Sequence, residues 1–302
     1  MKYKKCSLAL GSGGLKGASH VGVLKVFEEE GFPIEYIAGS SAGSLVGALY
    51  ATGHSADEIY QLLKEYSDKP PVNFKVNPLY TFWIILMSLL NFLKLRRGPT
   101  GMGVIEGKMM DVYLKSLFGE QGFEGLKYPL IVVATDITNG RLQVFTDKKM
   151  AKKLEKIHDL DIYTDVTLAE AVRASTSIPG ILSPVRYRNK ILVDGGVINA
   201  VPADTLRFAG AENIVGVDIN ANYQKEERQF DDLLDILLQT VEVMEGEMTD
   251  LVLERYASLT IRPKLENVSL KDFSKLIDIY NLGYQATREK VKAIKFLLSK
   301  AS

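Results

Sequence analysis

A serine flanked by glycines lies where a predicted strand gives way to a predicted helix. The turn has the sequence Gly39-Ser40-Ser41-Ala42-Gly43 and fits the Gly-x-Ser-x-Gly pattern of a nucleophile elbow. Residues 34–38 before it have strand character, and residues 42–51 after it are compatible with a helix. The glycines leave room for strand, helix and substrate to meet. The pattern predicts Ser41 as a nucleophile, and the alternative is an ordinary strand-to-helix turn.

A glycine-rich loop follows the first predicted strand, residues 6–10, and leads into an amphipathic helix. Its sequence is Gly11-Ser12-Gly13-Gly14-Leu15-Lys16-Gly17. Such a loop presents free backbone N–H groups at the helix N-terminus. It is a loose form of the dinucleotide fingerprint, and it lacks the Gly-Lys-Ser/Thr ending of a phosphate loop. We favour an oxyanion hole beside Ser41, which two neighbouring parallel strands would bring together. A nucleotide-binding α/β protein that uses residues 11–17 is the alternative.

The proton acceptor for the serine is not an obvious histidine. Histidine is the usual base, but the chain has only His20, His54 and His158. An α/β-hydrolase needs a histidine late in the chain, after the acid, and none follows His158. Either Ser41 is idle or its base is a carboxylate.

The composition is that of an ordinary globular protein, and the length allows one large domain or two modest ones. Since no clear second domain is evident, we expect one domain over residues 1–302. Hydrophobic residues make up 46% and charged residues 25% of the chain, which excludes general disorder. Basic and acidic residues number 37 each, so the charge gives no reason to expect nucleic acid as a partner. Cys6 is the only cysteine, so no intrachain disulfide forms, and we expect it in the core. The N-terminal apolar run is too short for a signal peptide, and we expect a cytoplasmic location.

Predicted strands and helices alternate along the chain, which indicates a largely parallel sheet. Residues 231–256 and 274–298 are expected to form long helices, and the charged residues 147–165 are expected to be solvated helix and loop. Residues 168–184 are expected to form a helix broken by prolines. Strand-like residues 190–193 run into Asp194-Gly195-Gly196, a sequence that by itself fits a plain turn.

The most apolar part of the chain, residues 79–95, has two interpretations. It is shorter than the ~20 residues that span a bilayer. The first interpretation is a buried core helix. The second is a lid or membrane-interfacial insertion within residues 70–105, which would also suit a non-catalytic membrane-associated scaffold. The candidate lipid contacts in that case are Phe82, Trp83, Phe92, Arg96 and Arg97.

Four motifs, in this order, resemble those of the patatin-like phospholipases. They are the glycine loop from Ser12 to Gly17, the elbow at residues 39–43, Ala174-Ser175 with Pro179 and Pro184, and Asp194-Gly195-Gly196 with Asn199 and Pro202. Two positions depart from the family pattern. Ser12 stands where glycine is common, and Lys16 stands where arginine is common, so the charge is kept but the planar fork is lost.

The resemblance implies a three-layer α/β/α sandwich and a lipid acyl hydrolase. Its serine–aspartate dyad would consist of Ser41 and Asp194, without histidine, metal ion or cofactor. The oxyanion hole would comprise the amides of Gly13, Gly14 and Ala42. The substrate would be a phospholipid, lysophospholipid or related acyl lipid, with peripheral membrane contact left open. The supporting positions would be Gly11, Ser12, Lys16, Gly17, Gly39, Gly43, Gly195 and Gly196.

Overall fold

The structure is a computed structural model that describes residues 3–69, 103–105, 107–221, 233–265, 268 and 272–299. In this part of the chain the strands are β1 (Cys6–Leu10), β2 (Ile34–Ser40), β3 (Gly103–Ile105), β4 (Leu130–Asp136), β5 (Arg141–Phe145), β6 (Leu160–Tyr163), β7 (Gly180–Leu182), β8 (Val185–Tyr187), β9 (Lys190–Asp194), β10 (Ile214–Val217) and β11 (Leu259–Ile261). The helices are α1 (Ala18–Glu29), α2 (Ala42–Ala51), α3 (Ala56–Asp68), α4 (Lys108–Phe118), α5 (Lys148–Leu154), α6 (Leu168–Ser175), α7 (Gly196–Asn199), α8 (Ala203–Phe208), α9 (Leu233–Tyr256) and α10 (Leu276–Leu298).

A largely parallel sheet forms the centre of the molecule, as the alternation of elements predicted. Its main path runs in the order β11-β10-β1-β2-β4-β5-β6, and β9 pairs with both β4 and β8. The pairs of β1 with β2 and β10, of β2 with β4, of β10 with β11 and of β5 with β6 are parallel. The pairs of β4 with β5, β4 with β9 and β8 with β9 are antiparallel. Strands β3 and β7 form a separate two-stranded sheet.

Helices cover both faces of the sheet, so the predicted three-layer sandwich is confirmed. Because successive strand residues point to opposite faces, β4 buries Leu130 and Val132 on one side and Ile131 and Val133 on the other. The first face packs against α1, α2, α3, α6 and α10. The second face packs against α5, α8 and the C-terminal part of α9.

Two predicted segments differ from the structure. The charged residues 147–165 contain α5 and β6, and Met150 and Leu154 are buried in the core. The four lysines of α5 made the segment look solvent-exposed in the sequence. A short helix needs only one apolar face to pack against the core, and Met150 and Leu154 supply it. Residues 168–184 do not continue as a helix beyond Ser175, and β7 follows. No helix in the described ranges is long and apolar enough to cross a bilayer.

The predicted lid or interfacial insertion falls almost entirely on residues that the structure does not describe. The five candidate lipid contacts, from Phe82 to Arg97, lie outside the described residues.

Candidate active site

Ser41 lies on a tight turn between β2 and α2, as the elbow motif predicted. Its backbone has φ 50° and ψ −120°, a conformation that residues other than glycine rarely adopt. A Cβ atom on Gly43 would lie 2.1 Å from the carbonyl oxygen of Leu10, and one on Gly39 would lie 2.5 Å from that of Gly43. The flanking glycines therefore allow α2 to start directly over β1.

The switch from β2 to β9 along one edge of β4 brings Asp194 to Ser41. Strand β2 pairs with β4 up to Ser40, opposite Val133. Strand β9 continues along β4 from the next residue, where Asp194 pairs with Ala134 in the antiparallel direction. Since β5 occupies the other edge of β4, the C-terminal ends of β2 and β9 meet at this point.

The side chains of Ser41 and Asp194 make a direct hydrogen bond. The Oγ of Ser41 donates to Oδ2 of Asp194 at 2.6 Å, and Oδ1 accepts the N–H of Gly196 at 2.8 Å. Both side chains are buried, with 4% and 5% of their residue surface exposed. Burial raises the pKa of the Asp194 carboxyl to about 6, against the opposing hydrogen bonds from Ser41 and Gly196. The carboxylate is thus a stronger base than in water.

The C-terminal end of α6 holds both of these residues, a role that the sequence did not reveal. The N–H of Ser41 donates to Oγ of Ser175 at 2.9 Å. The carbonyl of Ser175 accepts the N–H of Gly195 at 3.3 Å, and that of Ser177 accepts the N–H of Asp194 at 3.0 Å. A capping box between Thr167 and Glu170 fixes the start of this helix. Ser175 belongs to one of the four motifs, but nothing in its spacing indicated a contact with Ser41.

The glycine loop packs against the start of α2. Gly13 and Gly14 have φ angles of 153° and 54°, which favour glycine. A Cβ atom on Gly17 would lie 2.5 Å from that of Ala42, and one on Gly11 would lie 2.8 Å from the carbonyl oxygen of Val217. In the described part of the chain, no hydrogen bond engages the amides of Gly13, Gly14 or Ala42.

Ser12 and Lys16 contact the long helix α9. The buried Nζ of Lys16 lies 3.0 Å from Oε1 of Glu242 and 3.1 Å from Oδ1 of Asn220. The Oγ of Ser12 donates to Oε2 of Glu245 at 3.3 Å. Glu242 pairs with Lys16, the cation of the loop that a bound phosphate would need, which argues against the nucleotide-binding alternative. Sequence reasoning missed both glutamates, although their spacing of three residues on a predicted helix places them on one face.

At Gly195 and Gly196 the backbone passes close to β4, the glycine loop and α9. Gly195 has a φ of −64°, and α7 starts at Gly196, so the sequence does not form the plain turn that it suggests in isolation. A Cβ atom on Gly195 would lie 2.4 Å from the carbonyl oxygen of Val133. One on Gly196 would lie 2.8 Å from Oε1 of Glu245 and 2.9 Å from Oγ of Ser12. Asp194, the glycine loop and α9 therefore meet at Gly196.

None of the three histidines contacts Ser41. His20 is fully buried, and its Nε2 lies 2.8 Å from the carbonyl oxygen of Gly11. Burial lowers the pKa of His20 to about 4. His54 contacts Thr52, and His158 is exposed on the surface. The hydrogen bonds of the Ser41 side chain in the described residues lead only to Asp194. These residues also hold no cluster of three or more His, Cys, Asp or Glu side chains that could bind a metal ion.

The chain resembles known proteins over most of its length. A family model described as patatin-like phospholipase matches residues 8–207. The lysophospholipase NTE1 of Meyerozyma guilliermondii is 26% identical over 300 residues, covering 92% of this chain. The human patatin-like phospholipase domain-containing protein 6 is 27% identical over 305 residues, with the same coverage. The neuropathy target esterase sws of Drosophila melanogaster is 30% identical over 216 residues, 71% of this chain.

These relatives are much longer proteins. The alignment covers 18%, 20% and 13% of their respective lengths, so the chain spans at most about a fifth of each. Among solved structures, VipD from Legionella pneumophila aligns with 97% of this chain and 67% of its own, at 15% identity and a TM-score of 0.48. The family model alone accounts for well over half of the chain, and its match includes the elbow, the glycine loop and Asp194. This chain therefore belongs to the patatin-like phospholipase family.

Proposed function

We propose that this chain is a lipid acyl hydrolase that cleaves carboxylic esters of lysophospholipids, phospholipids or related acyl lipids. The observation that carries the proposal is the hydrogen bond of 2.6 Å between Ser41 Oγ and Asp194 Oδ2 at a strained elbow. Family membership supports the reaction class, and the name of the NTE1 relative supports a lysophospholipid as one substrate.

In the proposed mechanism, Asp194 accepts the proton of Ser41 while Oγ attacks the ester carbonyl carbon. The proton then passes to the leaving alcohol oxygen as the C–O bond breaks, which leaves an acyl-enzyme. A water molecule then attacks the acyl carbon and gives a proton to Asp194. As the bond between the acyl carbon and Oγ breaks, this proton passes to Oγ, which releases the fatty acid and restores the hydroxyl of Ser41. The amides of Gly13, Gly14 and Ala42 would stabilise the oxyanion, each essential donor contributing on the order of 3 kcal/mol.

The experiment is turnover of a p-nitrophenyl acyl ester by Ser41→Ala and Asp194→Asn, followed by a panel of glycerolipids. Matched controls are Ser116→Ala and Asp159→Asn, which change exposed residues on the surface. We expect both site variants to lose turnover, Ser41→Ala to lose labelling by a fluorophosphonate, and both controls to behave as wild type. Full activity of either site variant would refute the dyad. EDTA should leave the rate unchanged, and a loss that metal restores would contradict the mechanism.

We also propose that the enzyme is cytoplasmic. Because its substrates would reside in membranes, we propose that it makes peripheral membrane contact. Flotation with liposomes, compared between the wild type and a variant with Phe82, Trp83 and Phe92 changed to serine, tests this contact. Equal flotation of both would exclude those three residues from it.

A further inference from the structure

The inner face of α9 places two carboxylates against the glycine loop. Glu242 pairs with the buried Lys16 at 3.0 Å, and Glu245 accepts the hydroxyl of Ser12 at 3.3 Å. The helix thus contacts the loop at both of the positions where this chain departs from the family pattern. Ser12 supplies a hydrogen bond that a glycine could not make.

Glu245 also lies close to the proposed base. Its Oε1 would be 2.8 Å from a Cβ atom on Gly196, and the N–H of Gly196 donates to Oδ1 of Asp194 at 2.8 Å. One glycine therefore separates the two carboxyl groups.

The charges around Glu245 are unbalanced. The groups that face it are Glu242 on its own helix, Lys16 on the glycine loop and Asp194 at the end of β9. Lys16 is the one ammonium group that faces Glu245 among the described residues, and it pairs directly with Glu242. Because Glu242 takes this cation, Glu245 and the neighbouring Asp194 cannot both ionise easily.

We propose that Glu245 is a positioning residue for the glycine loop, that it acts as a neutral carboxylic acid, and that its ionisation sets the alkaline limit of activity. This inference rests on the function proposed above. Burial, and next the charge of Asp194, raise the pKa of Glu245 to about 8. At neutral pH Asp194 is therefore ionised and ready to accept a proton, while Glu245 keeps its own.

Ionisation of Glu245 would oppose the reaction. A second negative charge beside Asp194 and the amides of Gly13 and Gly14 disfavours the oxyanion that forms in the transition state. Activity should therefore fall as the pH rises through about 8. It should also fall as the pH drops through about 6, because Asp194 is then protonated. The resulting pH–rate profile is bell-shaped.

The test is the pH dependence of kcat between pH 5 and pH 10 for Glu245→Gln and Glu245→Ala. Glu254→Gln is the matched control, because Glu254 lies on the exposed side of the same helix. We expect both Glu245 variants to lose the alkaline decline and to keep the acidic limb. Glu254→Gln should retain the full bell. Glu245→Ala should in addition lower kcat by about tenfold or more, with little change in KM, because the loop loses its support.

Ser12→Gly separates positioning from ionisation. This variant removes the hydrogen bond to Glu245 but keeps the titrating group, so kcat at pH 7 should fall while the alkaline limb stays. The rate of fluorophosphonate labelling at pH 7 and pH 9 gives a second readout that does not depend on deacylation. It should drop at pH 9 in the wild type and not in Glu245→Gln.

The outcomes distinguish the two proposals. An alkaline limb in Glu245→Gln and Glu245→Ala with the midpoint of the wild type would overturn the inference. If Ser41→Ala is inactive in the same assay, the proposed hydrolase mechanism survives that result. If Ser41→Ala is fully active, the mechanism itself fails.

Discussion

The backbone amide of Ser41 donates to the hydroxyl of Ser175 across 134 positions of the chain. This contact matters because Ser41 has a positive φ angle, which needs support from its surroundings. The same short segment accepts the amides of Asp194 and Gly195 through its carbonyl oxygens. One helix end thus fixes the position of both members of the proposed dyad.

Removal of the Ser175 hydroxyl should weaken both stability and turnover. Ser175→Ala leaves the buried N–H of Ser41 without its acceptor, which costs about 1–3 kcal/mol of unfolding free energy. The elbow then loses one support, and we expect kcat to fall by about tenfold or more. Urea denaturation and ester turnover measure the two effects, with Ser116→Ala as the control. An unchanged kcat would show that the elbow holds its shape without this contact.

Asp194→Asn should give an inactive protein that is more stable at neutral pH. Folding raises the pKa of Asp194 from 3.8 to about 6. The stability linked to its proton is fully present below pH 3.8 and is lost as the pH rises through about 6. Asparagine does not ionise, so the variant should gain up to about 3 kcal/mol at pH 7 and little near pH 3.8. Urea unfolding at both pH values checks this, and a less stable variant at pH 7 would contradict it.

His20 should make the fold sensitive to acid without taking part in catalysis. Its pKa falls from 6.5 to about 4 on folding, because burial penalises the charged ring. The associated stability is present above pH 6.5 and is lost as the pH falls through about 4, by up to about 3 kcal/mol. His20→Gln should lack this dependence, and the exposed His158→Gln should keep it. The difference in unfolding free energy between variants at pH 7 and pH 4 is the measurement.

Gly43→Ala should disrupt the elbow. The added Cβ atom would lie 2.1 Å from the carbonyl oxygen of Leu10 and 2.9 Å from that of Gly11. Both obstacles are backbone atoms, so α2 must move, and we expect a loss of about 3 kcal/mol or more. Gly122→Ala is the control, because its nearest neighbour would be 3.7 Å away. Thermal unfolding of the two variants should separate them clearly, and equal melting temperatures would refute the steric argument.

The local parts of this architecture were predictable from the sequence. The elbow, the glycine loop and the alternation of strands and helices are encoded in short patterns of apolar and glycine residues, which the fold reproduces. The pairing of Ser41 with Asp194 was predicted from the order of four motifs along the chain, which resembles that of a known family. Periodicity alone did not give the distance between them.

The remaining parts depend on contacts between distant segments. Strand β9 was expected, but its antiparallel pairing with β4 follows from where β2 ends and not from its own residues. The core role of Met150 and Leu154 was hidden among lysines. Nothing in the sequence distinguishes Glu245 from the other acidic residues of its helix. Its contacts with Ser12 and Gly196 arise only in the folded chain.

The position of β1 has a consequence for synthesis of the protein. The strand pairs with β2 on one side and with β10 on the other, and β10 follows it by about two hundred residues. A nascent chain therefore leaves one backbone edge of its first apolar strand unpaired until residues 214–217 have emerged from the ribosome. During that interval the edge is open to wrong partners, so we expect chaperones that bind extended apolar segments to protect it.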